Sequence, residues 1–557
     1  MGTIDVWVVA VFSVLVFVCG MSFAKTGSNM KSFFAAGGAL PWWMSGLSLF
    51  MSFFSAGTFV VWGSIAYTSG WVAITIQWTM AISGLIIGFF IAPRWRKTGA
   101  LTAAQYITER LGYKTQRVYT YLFLFISIFT TAFFLYPVAK IVEVSTGIPI
   151  HLSIMVLGLL ILIYTSVGGL WAVIVTDVLQ FVVLTAAVLI LVPLSFDAIG
   201  GLDAFVSRAP DGFFSLITIE YSWAFVIAFG FYNLFFIAGN WAYVQRYTSV
   251  STPGDAKKTG WLFGTLYMIS PVIWMIPPMI YRVLNPELTG LADEGAYLLM
   301  AKKVLPAGLL GLMLGGMIFA ASSSVNTTLN ISAGVISNDI YKHFKPNASH
   351  QRLVRVGRIA TISLGLITIG IALMVPVMGG IVEAVISLGA ITGGALFLPP
   401  IWTLFSKRQN GQTVLLTTII TLTINCFFKF VTPYVFNLTL SRSAEMMLGV
   451  GLPIFLLTIF ELWLAFHPSR NHYYEEFTVN QSHETEKSDE DAAVDKKGNL
   501  HGLKVLGLGI FSTGILIGLL YFISSTGGWM VISMGLIVSV IGAIIIIRGI
   551  INKRKHL

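Results

Sequence analysis

The sequence has little charge. Only 10% of its 557 residues are Asp, Glu, Lys or Arg, whereas charged residues make up about 25% of a typical soluble domain. Hydrophobic residues account for 56% of the chain, and the mean hydropathy is +0.83. A soluble domain cannot enclose that much apolar surface. We therefore expect a membrane protein, with membrane lipid as its main solvent and partner.

Cysteine and the usual catalytic clusters are also scarce. The two cysteines, Cys19 and Cys426, lie in apolar runs, where a free thiol acts as a small core residue. This placement argues against a disulfide framework. The eight histidines are not grouped within the apolar runs, and no metal-ligand cluster, phosphate-binding loop or catalytic triad appears. The sequence therefore does not predict an enzyme.

Long apolar runs dominate the chain. A membrane-spanning helix needs about 20 apolar residues, and fifteen runs meet that length approximately. They are residues 5–24, 42–66, 71–93, 117–146, 152–169, 171–196, 222–246, 259–284, 304–336, 356–378, 381–405, 412–432, 446–467, 503–523 and 527–547. The first run is not a cleavable signal peptide, because Asp5 stands before it and Lys25 follows it.

The positive charge is distributed asymmetrically between the two sides of these spans. With the N-terminus outside, 27 of the 34 Lys and Arg residues fall on cytoplasmic segments and seven on the outer side. Cytoplasmic loops carry such an excess. We therefore expect an odd number of spans in the plasma (cytoplasmic) membrane, with the N-terminus outside and the C-terminus inside. The asymmetry also explains the net charge of +10, so no nucleic-acid partner is needed.

One segment departs from the apolar pattern. Residues 470–502 contain eight acidic residues and few apolar ones, a composition typical of a disordered cytoplasmic linker. The expected organisation follows from this segment and the spans. It is an N-terminal span and loop (1–41), a first repeat (42–196), a second repeat (222–405), additional spans (412–467), an acidic linker (468–502), and two C-terminal spans with a basic tail (503–557).

A polar stretch interrupts the ninth apolar run. Residues 319–330 read FAASSSVNTTLN. On a helix, Ala320, Ser323, Ser324 and Thr327 share one face. Hard cations prefer oxygen ligands, and uncharged hydroxyls would hold sodium weakly enough to release it. The alternative is that these hydroxyls hydrogen-bond to neighbouring helices.

A carboxylate lies within the sixth apolar run. Asp177, in the sequence GGLWAVIVTDVLQF, stands about two turns from the expected inner end of its span. Ionisable residues inside the membrane are costly and usually functional. The alternative is a structural hydrogen-bond acceptor at the cytoplasmic edge.

Two apolar runs are interrupted by small and polar residues. These residues are Ser52, Ser55, Gly57 and Thr58 in the first run, and Asn233, Gly239 and Asn240 in the second. The two runs open successive sets of five spans that have opposite membrane orientations. Interrupted helices at corresponding positions of two inverted halves indicate a transport site near the middle of the membrane. A continuous helix with a small-residue packing seam is the alternative.

Three stretches together resemble the sodium/solute symporter family, which includes sodium–glucose, sodium–proline and sodium–sialic acid transporters. They read ALPWWMSGLSLFMSFFSAGTF, GGLWAVIVTDVLQF and FAASSSVNTTLNISAGVISNDIY. The resemblance covers roughly residues 5–467. It implies an all-α, five-plus-five inverted-repeat transporter fold, with one preceding helix and extra C-terminal helices. It also implies sodium-coupled import of a solute by alternating access.

The resemblance further implies ligands for sodium. Matched by motif, one sodium ion would be held between the first and eighth core helices by the carbonyls of Met51, Phe54 and Ala320 and the hydroxyls of Ser323 and Ser324. Some members have a second sodium site, which here corresponds to Asp177, Ser323, Asn326 and Thr327. Asn326 stands where some relatives have a serine, so a stoichiometry of two sodium ions is only suggested.

The positions that line the solute pocket in relatives correspond here to Ser55, Thr58, Gln77, Asn233, Phe236 and Tyr267. Asn233 agrees with the sugar transporters, whereas Tyr267 replaces their lysine and Phe236 their gate tyrosine. Gln77 replaces an acidic residue of some sugar carriers and is similar to the amide of a sialic acid carrier. No arginine lies within the expected core spans to bind a carboxylate. We therefore expect a sugar, polyol or sugar derivative first, and a monocarboxylate or amino acid next.

Other functions stay open at this point. A solute-binding membrane sensor could signal through the acidic linker, but that segment contains no kinase or receiver pattern. An ion channel is disfavoured because no repeated filter motif appears. Within the transporters, Asp177 could couple transport to protons instead of sodium. The oligomeric state cannot be predicted from these patterns.

Overall fold

The computed structural model describes the backbone of residues 2–22, 40–54, 56–100, 102–164, 170–345, 347–467, 471–484, 492–522 and 528–554. Within these ranges the side chains of Ser323, Asn326 and Thr327 are not described. The described residues form helices and one isolated β-bridge, between Leu40 and Val250, but no strand. The expected all-α class is confirmed.

Among the described residues, the N-terminal helix, the first predicted repeat and the segment that follows it contain ten α-helices. They are α1 (Thr3–Met21), α2 (Trp42–Met51), α3 (Gly63–Ser69), α4 (Val72–Ile86), α5 (Ala92–Lys97), α6 (Ala103–Leu111), α7 (Tyr113–Thr146), α8 (Ile150–Tyr164), α9 (Leu170–Ile199) and α10 (Leu202–Arg208). Short π-helical segments, Thr58–Trp62 and Ile87–Ile91, lead into α3 and α5. Helices α4 and α5 therefore form one membrane-length rod.

The second predicted repeat begins with α11 (Trp223–Gly239) and α12 (Trp241–Thr248). It continues through α13 (Pro253–Trp274), α14 (Ile276–Leu284), a 3₁₀ helix (Gly290–Gly295), α15 (Ala296–Val304), α16 (Leu309–Gly334), a π-helix (Val335–Tyr341), α17 (Lys342–Phe344), α18 (His350–Met374) and α19 (Ile381–Trp402). The remaining helices are α20 (Gly411–Cys426), α21 (Thr432–Val435), α22 (Arg442–Phe466), α23 (His472–Glu484), α24 (Ala492–Leu519) and α25 (Gly528–Arg554).

Both expected helix interruptions are present. Helix α2 ends at Met51, where the Ser52 amide donates to the Leu49 carbonyl at 3.2 Å in a tightened turn, and helical structure resumes at Ala56. Helices α11 and α12 meet at Asn240 with a 60° bend. Asn240 has an extended backbone, and its side chain accepts from the Ala242 amide at 3.0 Å, which caps α12. The capping side chain thus stabilises the break.

Eleven helices among the described residues are long and apolar enough to span a membrane, or twelve if the bent α11–α12 pair is one span. Two shorter apolar segments, Ile150–Leu159 and Leu309–Ser322, are also present. The polar stretch after Leu309–Ser322 shortens that apolar segment, and the break after Met51 divides another predicted run. The count of fifteen spans remains a prediction.

The acidic linker contains a helix, α23, which packs on α6. The Phe477 ring meets the Tyr106 ring edge-on at 5.6 Å, and the Arg110 guanidinium lies 4.8 Å from the centre of the Tyr474 ring. The side chain of Asn471 donates to the Gln409 carbonyl at 3.0 Å. Disorder was therefore the wrong expectation for His472–Glu484. Average acidic composition hid the two aromatic residues that fix this helix to the core.

Candidate ion and solute site

A cavity of about 240 Å³ lies between the two interrupted helices and α16. The break after α2 contributes Ser52, Phe53 and Gly57 to its wall, and the serine-rich helix α16 contributes Ser324 and Thr328. Further lining residues include Thr58, Asn233, Phe236, Tyr267, Asp177 and Arg246. The structure thus places six of the fourteen predicted ion and solute residues on the wall of one cavity.

The predicted first sodium site involves α2, the break after it, and α16. Met51 and Phe54 are buried at the end of α2 and in the break. On α16, the Ser324 hydroxyl donates to the Ala320 carbonyl at 3.4 Å, a weak contact between two of the predicted ligands. The side chain of Ser323 lies outside the described residues, as does the whole of Ser55. What the structure adds is that Ser324 and the break border the same cavity.

Asp177 already has two partners. The Ser48 hydroxyl donates to its carboxylate at 2.6 Å, and the Arg246 guanidinium lies 3.9 Å from the same oxygen. The Nε atom of Arg246 also lies 3.4 Å from the Ser48 hydroxyl. Both Asp177 and Arg246 are more than nine-tenths buried. Any cation that binds Asp177 in this conformation must therefore share the carboxylate with a guanidinium.

Sequence reasoning missed Arg246, since it assigned this residue to a cytoplasmic segment and expected no arginine near the solute. The break at Asn240 explains the error. Because the chain bends there by 60°, α12 departs from the direction of α11, and its last turn brings Arg246 to α2 and α9. One signal for this position was available in the sequence. Asn240 can cap a helix, and the segment WAYVQRYT that follows it places Arg246 six residues further on, within the length of a short helix.

The solute-side residues form a polar and aromatic wall. The Asn233 amide donates to the Thr79 hydroxyl at 2.9 Å. The Phe236 ring meets the Phe53 ring edge-on, with 6.1 Å between the ring centres. The Tyr267 ring packs against the Phe50 ring, with 5.0 Å between the ring centres. Aromatic faces beside a few polar groups suit a small ring-shaped polar solute. Helices on both sides of the cavity therefore contribute to this wall.

Gln77 is placed differently from the other predicted pocket residues. It is fully buried in α4 and is not among the residues that line the cavity. Its amide nitrogen donates to the Ala73 carbonyl at 3.4 Å, while its amide oxygen has no hydrogen-bond partner among the described residues. The structure therefore does not bring Gln77 to the cavity wall in this conformation.

Polar contacts join several helices at the opposite end of the core from Arg246. The Ser64 hydroxyl of α3 donates to Asp293 at 2.7 Å. Glu294 accepts from the Tyr136 hydroxyl of α7 and from the Ile381 amide of α19, each at 2.9 Å. Burial raises the pKa of both the Asp293 and Glu294 carboxyls above their ordinary values. The 3₁₀ helix Gly290–Gly295 thus ties three helices together at this end, hereafter the latched end.

A family model described as the sodium:solute symporter family matches residues 33–421. This range is more than half of the chain. The chain belongs to the sodium:solute symporter family. The resemblance drawn from the three motifs is confirmed, and with it sodium as the coupling ion of the family.

Individual relatives agree with this assignment. The chain is 27% identical over 431 residues to the sodium/sialic acid symporter NanT of Aliivibrio fischeri, an alignment that covers 74% of this chain and 85% of that protein. It is also 27% identical over 469 residues to a sodium/glucose cotransporter of Vibrio parahaemolyticus, covering 77% and 85%. The family consists of membrane transporters, so the chain is a multi-pass membrane protein.

The fold is also similar to a solved one. The structure of a Na⁺-coupled sialic acid symporter, in a substrate-bound outward-open state, matches with a TM-score of 0.69 and 23% identity. The match covers 83% of this chain and 98% of that one. At this identity the likeness establishes the fold, and the ligands of the present chain have to be argued from its own residues.

Proposed function

We propose that this protein is a sodium-coupled symporter that imports a small polar organic solute by alternating access. The observation that carries the proposal is the shared cavity. Ser324 of the hydroxyl-bearing helix and the break after α2 border the same space as Asn233, Phe236 and Tyr267. An ion and a solute that bind around one cavity can stabilise each other's sites, which is the coupling that symport requires.

The sodium site we propose consists of the carbonyls of Met51, Phe54 and Ala320 and the hydroxyls of Ser323 and Ser324. Neutral oxygens replace the hydration shell of a hard cation without holding it irreversibly. Bound sodium would tie the broken first core helix to α16 and order the turn beside the solute. Because cytoplasmic sodium is low, release on the inside would follow. The membrane potential adds roughly 2.3 kcal/mol per charge per 100 mV.

A second sodium at Asp177, Ser323, Asn326 and Thr327 is the finer part of the proposal. The contact with Arg246 bears on it directly, since the guanidinium already neutralises the carboxylate. A second sodium therefore has to share the carboxylate with Arg246 or displace it. If it does so, Asp177→Asn should lower the Hill coefficient for sodium, whereas an unchanged coefficient would indicate one sodium per cycle. Replacing sodium at fixed pH separates this site from a proton-coupled Asp177.

We further propose five-plus-five inverted repeats with the N-terminus outside and the C-terminus inside. The positions of the two breaks support this layout, because each lies in the first helix of its set. In this orientation the latched end formed by Asp293 and Glu294 faces outward. The cavity then extends from Phe229 and Val385, on the outer side of Asn233, to Arg246 on the cytoplasmic side.

For the solute, a sugar, polyol or sugar derivative fits best. Arg246 is a basic group on the cavity wall, which by itself would favour a carboxylate solute such as a monocarboxylate or amino acid. Its charge, however, is paired with Asp177 at 3.9 Å, so the site as a whole offers hydroxyls, amides and aromatic faces. Such groups suit an uncharged solute. A relative that transports glucose is consistent with an uncharged sugar, whereas the sialic acid carried by another relative is a sugar derivative with a carboxylate.

The proposal is tested by thermal unfolding of the purified protein in sodium and in potassium, with a panel of sugars, polyols, carboxylates and amino acids. A ligand that binds the folded state raises the unfolding temperature. We expect a sodium-specific rise that one solute increases further, followed by sodium-driven uptake of that solute into proteoliposomes. Binding without accumulation would instead support a sensor, and no sodium effect with any solute would contradict sodium coupling.

The variants that test the sodium site and their matched control all lie on helix α16. Ser323→Ala combined with Ser324→Ala should abolish the sodium-specific rise. Ser322→Ala should preserve it, because the Ser322 hydroxyl donates to the Ile318 carbonyl at 2.6 Å and points away from the proposed ligand face. Loss of the sodium response in both would indicate general damage to α16 instead of loss of an ion site.

A further inference from the structure

The N-terminal helix α1 carries a buried carboxylate that binds another helix. Asp5 is 3% exposed, and its Oδ1 atom accepts from the backbone amides of Gly308 at 2.7 Å and Gly311 at 3.1 Å. The first amides of a helix have no partner within it, and the helix dipole favours a negative charge there. Asp5 therefore supplies to α16, from a different helix, the interactions that a capping residue would make.

The two helices also approach closely beyond this contact. A Cβ atom at Gly311 would lie 2.4 Å from the Asp5 carbonyl oxygen, so only glycine allows the observed spacing. A Cβ atom at Gly315 would lie 3.2 Å from the Phe12 ring, and Phe12 meets Phe319 edge-on at 6.3 Å. Helix α1 thus follows α16 as far as the residue that precedes Ala320, one of the proposed sodium ligands.

The other end of α1 contacts the helix that carries Asp177. A Cβ atom at Gly20 would lie 3.9 Å from the Thr176 side chain on α9. Helix α9 in turn packs directly on α16, where a Cβ atom at Gly316 would lie 2.9 Å from Leu184. Helices α1, α9 and α16 therefore contact one another in pairs. Helices α9 and α16, which carry the predicted side-chain ligands for cations, share α1 as a common support.

The C-terminal spans cover this three-helix contact. Gly509 of α24 lies against Cys19, because a Cβ atom added at Gly509 would lie 3.2 Å from the Cys19 sulfur atom. Gly509 also faces Leu179 of α9. Leu520, just after α24, packs against Gly308, beside the Asp5 contact. Helix α25 packs along α24. The penultimate span thus holds α1 against both neighbours.

We propose that Asp5 is a positioning residue for the sodium site, an inference that rests on the proposed function. Asp5 and Phe12 fix the position of α16 along α1, and α1 fixes it relative to α9. Sodium binds only when the oxygens of α16 are in the correct place. The apparent dissociation constant equals the intrinsic one divided by the fraction of molecules in that arrangement. Loosening α16 therefore weakens sodium binding without removing a ligand.

The test is sodium binding to the purified full chain, measured by titration with ²²Na⁺ in the absence of solute. Asp5→Ala should raise the half-saturating sodium concentration roughly tenfold or more, the scale of a lost charge-assisted hydrogen bond. Asp5→Asn retains one acceptor oxygen and should give a smaller increase. The amount of sodium bound per folded protein at saturation should stay the same for both.

A second pair of variants on α1 is a matched control. Phe12→Ala removes a fully buried ring that contacts Phe319, whereas Phe17→Ala makes the same change at a ring that is 47% exposed. Phe12→Ala should raise the half-saturating concentration, and Phe17→Ala should leave it unchanged. This pair keeps the proposal testable if Asp5→Ala fails to fold.

The outcomes separate the proposal from the function on which it rests. If wild-type protein binds sodium and the Asp5 and Phe12 variants bind it with unchanged half-saturation but fewer sites, Asp5 has a structural role only and the proposal is wrong. If wild-type protein binds no sodium, both the proposed function and this inference fail. A shifted half-saturation with full occupancy supports the positioning role.

Discussion

The contact between Asp177 and Arg246 makes a sharp prediction about stability. Two unit charges 3.9 Å apart attract each other by about 4 kcal/mol at an effective dielectric constant near 20. Removing one partner of a buried pair leaves the other charge unpaired and typically costs about 3–5 kcal/mol. We therefore expect Asp177→Asn and Arg246→Gln each to destabilise the protein strongly.

The double variant distinguishes a true pair from two separate losses. Asp177→Asn combined with Arg246→Gln removes both charges, so its destabilisation should be smaller than the sum of the two single effects. We expect a coupling energy of roughly 2–4 kcal/mol, since the close charged pair is lost only once. The unfolding entropy is about 2 cal/mol/K per residue, so the destabilisation expected for either single variant corresponds to a melting-temperature decrease of about 3 °C.

Thermal unfolding in detergent measures all three variants in potassium, where no sodium contributes. Asp197→Asn is the matched control, because Asp197 is exposed on the same helix, α9, and undergoes the same change. It should leave the melting temperature unchanged. Additive effects of the two single changes would refute the pairing, and with it the argument that Arg246 is neutralised and that the solute is uncharged.

Further predictions concern the solute wall and the latched end. Asn233→Leu should raise the solute KM about tenfold, which is the cost of a lost hydrogen bond to a polar ligand. Sodium binding without solute should stay unchanged. An unaltered KM would show that Asn233 does not bind the solute. Glu294→Gln leaves the Tyr136 hydroxyl or the Ile381 amide without an acceptor, so it should lower stability by about 1–3 kcal/mol, whereas Glu287→Gln, at an exposed position, should not. Because burial raises the pKa of Glu294 above 4.5, the folded state holds this proton more tightly than the unfolded state. Its contribution to stability is therefore greatest at low pH and is lost as the pH rises through the raised pKa, and Glu294→Gln should reduce that pH dependence.

Much of the fold was accessible from the sequence because the bilayer imposes strong rules. Apolar length, charge asymmetry and the small or polar residues near Gly57 and Asn240 were enough to predict helices, their interruptions and the family. The family motifs also indicated that Ser324 and Asn233 would lie near one site, and the structure places both on the same cavity wall.

What the sequence did not predict depends on contacts between distant segments. Arg246 reaches Asp177 only because the chain bends at Asn240, and Asp5 reaches Gly308 only because α1 packs along the first turns of α16. Neither contact leaves a local pattern. Helix α23 was likewise missed, because two aromatic residues that dock on α6 outweigh the acidic composition around them.

The central claim is that hydroxyls of α16 bind the coupling sodium, and equilibrium binding of ²²Na⁺ tests it most directly because the solute need not be known. The account predicts saturable binding to wild-type protein and to Ser322→Ala. It also predicts no saturable binding when Ser323→Ala and Ser324→Ala are combined in a protein that remains folded. Equal sodium affinity in the double variant and the wild type would contradict the account.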